Sequence, residues 1–407
     1  MKVIFLSDYR ESSANYNIAA KIANKMKAED IELIKGYYVT DSGFFTREKA
    51  DDKEFIIQSG KTYAYLKAGY SKEWSDKGAL KKIAYLLTHP KFFISAIAYF
   101  FERKQGFVAC RNRIKEICES EKIDFIVGVS FPIQIEKLLA RLNVSVPIYA
   151  VRLDPYAFNP CIPNISFEKR IKEERKIIKR IDKLFTTNLI IRDLLTDDVI
   201  KNYSSKMNVI EFPLISKEDC EHGENRPYSR LFEEDGSTYI LHAGTFYRDI
   251  RNPKKLVDLI KVLPGEYKLC VAGYNSSMIR EYDEEVRDRI IDMGCLDRQT
   301  VQSAVNDCDF LLSYNNLNTN MVPSKLFECV DSGKPFINLC QSTECPTIDY
   351  VKDYDMAYTA ITDDIHPEEL IRFMERTKGR LSSREEILKS FYKCTVEYVV
   401  DQIMAVE

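Results

Sequence analysis

Histidine and tryptophan are scarce in this chain of 407 residues: it has four histidines and one tryptophan, Trp74. None of His89, His222, His242 and His366 lies at a spacing that indicates a catalytic dyad, so histidine acid–base chemistry is not expected. No apolar run approaches the ~20 residues that cross a bilayer, which excludes a helical span. No signal-peptide pattern precedes the first strand-like run, Lys2–Leu6, and a cytoplasmic protein is expected. Net charge is only −3, with mixed signs along the chain, so no whole-molecule field favours nucleic acid. The eleven cysteines include no C-x-x-C pair, and several sit in apolar runs such as Lys268–Ala272. An odd number of such thiols fits a reducing compartment and not a disulfide framework. A metal site at Cys340 and Cys345 lacks the further His or Cys partners it needs, so neither metal nor cofactor is expected. There is no internal repeat and no low-complexity segment.

What is present is a globular profile, 45% hydrophobic and 30% charged, long enough for two domains. Short β-branched runs alternate with longer amphipathic stretches, the pattern of parallel sheets covered by helices. In the N-terminal half, strands are predicted over Val3–Ser7, Phe125–Val129, Ile148–Arg152, Lys183–Thr187 and Val209–Phe212. A polar stretch from Lys217 to Ser237 reads as a linker. A second series follows, with strands over Tyr239–Ala243, Tyr267–Ala272, Phe310–Tyr314 and Pro335–Leu339, and a helix over Tyr282–Met293. The expected architecture is α/β, two tandem Rossmann-like, doubly wound domains facing a cleft. Residues 1–215 form the first domain, 216–382 the second, and a helix within 383–407 crosses back onto the first.

The most informative stretch runs from Asn320 to Phe336. Pro323 and Ser324 precede an amphipathic turn, with Ser324 suited to capping. A helix start there offers free N–H groups and partial positive charge to a diphosphate. Lys325 adds a full charge. Glu328, one turn on, can accept both hydroxyls of a ribose. A second element is Leu241 to Pro253: Gly244 ends a strand, Thr245 follows, and Arg248 and Arg251 offer guanidinium forks suited to phosphate oxygens. Gly273 ends the next strand. Met293 to Asp297, including Gly294 and Leu296, with the short helix predicted over Gln299–Val305, then form a strip whose backbone can pair with a nucleobase edge.

Taken in order, these elements and the Pro323–Glu328 and Ser332–Pro335 segments resemble the C-terminal half of the GT-B glycosyltransferases. The likeness is to their large group 1 retaining family (family four), over roughly residues 239–339. The resemblance implies a nucleotide-diphosphate sugar as donor and substrate, not as cofactor. It implies that Arg251 and Lys325 hold the diphosphate, with Arg248 as the alternative to Arg251, and that Glu328 holds the ribose. Gly244, Thr245, Gly273, Gly294, Leu296, Pro323, Ser324 and Leu326 would complete the donor site. The family often places an acidic residue eight positions before the ribose Glu; this chain has Asn320 there.

The N-terminal half carries less. Ser12, Ser13 and Asn15 follow strand one and suit either acceptor hydroxyls or helix capping. Arg152 and Asp154, in Ile148–Tyr156, resemble an Arg-Asp-Pro strand end of some relatives; they face an acceptor, with Asp154 acting in catalysis, or form a structural ion pair. Residues 71–115 interleave basic and aromatic side chains, a pattern suited either to a membrane surface or to an ordinary helix pair. The expectation is an enzyme moving a sugar from a nucleotide-diphosphate sugar to a glycan or lipid-linked glycan in surface-polysaccharide assembly. Retention is inherited from the resemblance, and no metal is expected to be required. The rivals are a nucleotide-sugar epimerase of the same fold and a non-catalytic binding protein.

Overall fold

The β-branched runs become strands, and every strand pairing among the described residues is parallel. The structure, a computed structural model, describes residues 1–9, 14–39, 54–58, 107–129, 133–159, 162, 165–218, 231–232, 235–317 and 321–406. The chain divides into two compact units: Met1–Glu211 with Val399–Glu407, and Phe212–Tyr398. The last turns of the helix Val396–Met404 therefore belong to the first unit, with Val399, Val400 and Ile403 buried.

In the first unit, seven strands are ordered β3-β2-β1-β4-β5-β6-β7. They are β1 (Lys2–Tyr9), β2 (Glu32–Val39), β3 (Glu54–Gln58), β4 (Phe125–Val129), β5 (Ile148–Arg152), β6 (Lys183–Thr186) and β7 (Met207–Val209). β4 and β5 are buried at every residue, as parallel strands covered on both faces must be. Among the covering helices, Phe167–Arg180 buries Ile171, Ile177 and Ile178 along one stripe. Glu168 in its first turn and Lys179 and Arg180 in its last complement its dipole.

The second unit holds six strands in the order β10-β9-β8-β11-β12-β13. These are β8 (Thr238–Ala243), β9 (Tyr267–Ala272), β10 (Ile290–Asp292), β11 (Phe310–Tyr314), β12 (Phe336–Cys340) and β13 (Ala357–Ile361). Counted from β8 this is the 3-2-1-4-5-6 order of a dinucleotide-binding sheet, whose chain reversal lies between β8 and β11. Its core joins Ile240, Leu269, Phe310 and Ile337 of the sheet to Leu256, Ile260, Leu370 and Phe373 of the helices. Among the described residues no helix is long and apolar enough to cross a membrane.

Four strands, β2, β3, β10 and β13, were not expected; Lys35 and Gly36 interrupt the apolar run of β2. The helix predicted over Tyr282–Met293 is instead a turn followed by β10. The Asp283 carboxylate is fully buried and takes Arg280 and Arg287 as partners, which closes the chain locally, and Ile290 and Ile291 then pair with β9.

Candidate functional site

In a doubly wound sheet, ligands bind beyond the carboxyl ends of the strands where the order reverses. In the second unit that place is the gap between the ends of β8 and β11, and the loop 244–253 fills it. Gly244 donates its N–H to Ala272 O at 2.8 Å, continuing the ladder one residue past β8. Tyr247 and Arg251 then exchange backbone hydrogen bonds of 3.2 and 2.9 Å. Gln341, just beyond β12, donates its amide to Ile250 O and Asn315 O at 2.7 and 2.8 Å. The Tyr314 hydroxyl donates to Asn252 O at 2.9 Å. So held, the loop presents its groups in a preset arrangement.

Arg251 is the centre of this arrangement. Its guanidinium donates to Thr245 O at 3.3 Å and to Asn316 Oδ1 at 2.8 Å. It is 9% exposed, and its Nε has no hydrogen-bond partner among the described residues. Burial pulls its pKa below the ordinary value, and no carboxylate figures among the charges acting on it. A buried cation held only by neutral acceptors is costly unless an anion joins it. Arg248, the alternative, is different: it is exposed and makes a two-pronged pair with Glu281 at 2.8 and 2.5 Å. Of the two arginines, Arg251 has an unmet charge.

Lys325 lies on the helix Ser324–Asp331, which follows β11. The position that caps this helix is Pro323, not Ser324, and no side chain caps it. Its first N–H groups are therefore left for other acceptors. Lys325 and Glu328 pair with each other at 2.5 Å, on a half-exposed face. Leu326 is fully buried, so its side chain belongs to the core and not to a ligand surface.

His242, in β8, joins these groups. It stacks on Phe246 and places Nδ1 3.0 Å from Leu312 O, which can only accept; the proton is therefore on Nδ1 and Nε2 is a bare acceptor. Burial lowers its pKa to about 3, assisted by the charges of Arg251 and Lys325, so both cations act on one spot. A Cβ at Gly244 would stand 2.9 Å from His242 Nε2 and 3.6 Å from Arg251 Nη1. Glycine at 244 is what lets these side chains approach the loop.

Gly273, with φ +133°, ends β9, and a Cβ there would stand 2.3 Å from Gly244 O: the two strand ends touch backbone to backbone. Gly294, with φ +67°, accepts from Gly273 N at 2.8 Å and donates to Asp292 Oδ1 at 3.0 Å. Its own backbone groups are thus occupied, and the strip available to a base narrows to Cys295, which is exposed, and Leu296, half-buried.

In the first unit, Arg152 does not face a ligand. Its guanidinium is fully buried between Glu136 and Glu174, bonding Glu136 through Nε at 2.8 Å and through Nη2, and Glu174 at 2.6 Å. Burial works to lower its pKa, yet the two carboxylates outweigh that and raise it. It is a structural ion triad. Asp154 lies two residues past β5 and is half-buried. Ser12, Ser13 and Asn320, the side chain of Asn15, and 71–106 of the basic-aromatic stretch lie outside the described residues.

The chain resembles the lipopolysaccharide outer core galactosyltransferase WaaB, with a TM-score of 0.59 and 12% identity over 100% of this chain and 99% of that one. It resembles Anabaena HepE, determined with UDP and glucose, with a TM-score of 0.62 and 10% identity over 99% and 98%. It also resembles sucrose-phosphate synthase of Thermosynechococcus elongatus, with a TM-score of 0.60 and 13% identity over 99% and 98%. The chain has the GT-B fold. No family profile and no curated protein sequence matches it. Two site residues of this GT-B chain escaped the sequence reading, Asn316 and Gln341. Both follow strand ends, Asn316 beside the chain reversal, and that position is the signal that could have found them.

Proposed function

We propose that the chain is a retaining glycosyltransferase that takes a sugar from a nucleotide-diphosphate donor to a glycan or lipid-linked glycan in surface-polysaccharide assembly. The observation that carries this reading is Arg251: a buried guanidinium without a carboxylate, at the strand reversal of a dinucleotide-type sheet, bonded to Asn316 on the segment that leads from β11 to an uncapped helix. A diphosphate supplies the missing anion. Lys325 turns from Glu328 to the phosphates when the donor arrives, and Glu328 is released to the ribose hydroxyls.

The chemistry follows from where charge develops. As the bond from the sugar C1 to the leaving phosphate oxygen breaks, negative charge grows on the diphosphate, and the preset cations stabilise it. The acceptor oxygen bonds C1, and its proton passes to the departing diphosphate. No protein nucleophile is required, and the protein's own cations supply the positive charge. We assign Asp154 to the acceptor hydroxyl. A nucleotide-sugar epimerase is disfavoured because His242, sealed and held neutral, is not placed to exchange protons with a substrate.

The test is release of nucleoside diphosphate from a panel of UDP-, GDP-, ADP- and CDP-sugars, without and with candidate glycan acceptors. Slow release that accelerates with one acceptor is expected. Tight nucleotide binding with no turnover of any donor would reduce the protein to a binding module.

A further inference from the structure

Among the large apolar and aromatic side chains near the site, Tyr274 stands out: its side chain is 69% exposed, although its backbone is held firmly. Its carbonyl accepts from Phe246 N at 3.2 Å, and the next residue, Asn275, donates its side-chain amide to Phe246 O at 3.2 Å. Asn275 does so from a left-handed conformation, φ 62°, which non-glycine residues adopt at a cost. On its other side is Gly273, at φ +133° and in backbone contact with Gly244. Two unusual conformations thus flank one aromatic ring at the carboxyl end of the sheet. Exposure of a large ring costs free energy, and a rigid backbone beneath it suits a surface kept ready for a flat partner.

Its position narrows the partner. Gly273 donates to Gly294 O, so Tyr274 and Cys295, both exposed, each follow one partner of a single hydrogen bond at the ends of the neighbouring strands β9 and β10. β9 lies one strand from β8, roughly 5 Å across the sheet, away from the reversal where Arg251 sits. A nucleotide held there by its diphosphate reaches that far with its base. The Tyr274 ring carries no charge to attract phosphate; it offers a π face, and a nucleobase has a matching one.

We propose that Tyr274 is the stacking platform for the donor's nucleobase, with the Cys295–Leu296 backbone at its edge. This rests on the donor-site reading given above. Stacking of one base on one aromatic ring is worth about a ten- to hundredfold change in affinity on truncation to alanine.

The experiment is calorimetric binding of UDP, GDP and inorganic pyrophosphate to the full chain and to Tyr274→Ala and Tyr274→Phe. Tyr274→Ala should weaken the preferred nucleotide ten- to hundredfold, Tyr274→Phe by less than about threefold, and neither should move pyrophosphate affinity. Such an exposed side chain leaves folding undisturbed, which a melting curve checks. Unchanged nucleotide affinity in Tyr274→Ala overturns the stacking role while leaving the diphosphate site intact. So does a variant that binds nucleotide normally but needs more acceptor. A wild-type protein that binds neither nucleotide nor pyrophosphate overturns the donor site itself.

Discussion

Replacing Arg251 by methionine separates a ligand-holding charge from a structural one. In the free protein the guanidinium is desolvated and answered only by Thr245 O and Asn316 Oδ1. Removing it deletes two hydrogen bonds and also the cost of burying a charge without a counter-ion. The free protein should therefore melt within about 1–2 kcal/mol of wild type. The bound state differs. Truncating one partner of a buried, hydrogen-bonded charge pair costs about 2–5 kcal/mol, at least thirtyfold in dissociation constant. At a concentration of UDP or GDP about 100 times the wild-type dissociation constant, wild type gains about 2.7 kcal/mol, whereas Arg251→Met gains about 1 kcal/mol or less. Thermal denaturation with and without nucleotide reads both quantities in one experiment. The reasoning fails if the variant loses its fold without ligand, which makes Arg251 structural, or if its nucleotide-induced shift equals wild type.

Other outcomes follow from the same geometry. Gly273→Ala must place a Cβ against Gly244 O in a backbone conformation that L residues avoid, and should cost the second unit at least about 3 kcal/mol, measured by urea denaturation. Arg152→Met leaves Glu136 and Glu174 buried without their cation and should cost about 3–5 kcal/mol, whereas replacing all three by apolar residues should recover most of it. His242 has a folded pKa of about 3, below its ordinary 6.5, so the unfolded chain binds the extra proton between those values and stability falls as pH drops from 6.5. By pH 5 the loss from this group alone is about 2 kcal/mol; His242→Gln should flatten that slope, and melts at pH 5 and 7 compare them. The neighbouring Cys340 thiol, and then the Thr347 hydroxyl 3.1 Å from Cys345 Sγ, hold Cys345 below the ordinary thiol range. Cys340→Ala should slow alkylation of Cys345 at neutral pH, as followed by mass spectrometry.

The sheets were legible in the sequence because their central strands are buried on both faces and read as largely apolar runs, as Phe125–Val129 and Phe310–Tyr314 do. β13 buries only Ala360 and carries a mixed Ala-Tyr-Thr-Ala-Ile run, and β10 has only three residues, so neither carried that signal. The strand-end glycines and the segment after β11 pointed to the carboxyl end of the second sheet, where the structure places Gly244, Gly273 and Arg251. What sequence spacing does not give is which charges are already answered. Arg248 and Arg251 are three residues apart in one loop, and only the fold brings Glu281 to the first and leaves the second without a carboxylate. Arg152 read equally as an acceptor contact or an ion pair, because the carboxylates that enclose it lie 16 and 22 residues away. Tyr274 carried no signal: an aromatic residue in a polar loop shows its exposure only once the loop is folded.

The first unit is discontinuous in the chain, and this orders its biogenesis. Residues Val399–Glu407 belong with Met1–Glu211, while everything between them forms the other unit. On the ribosome the nucleotide-type sheet of residues 212–398 can close before its predecessor in the chain has received its last helical turns. Until then, the surface destined to cover Val399, Val400 and Ile403 stays wet, and the nascent first unit is the one that chaperones and proteases will find open.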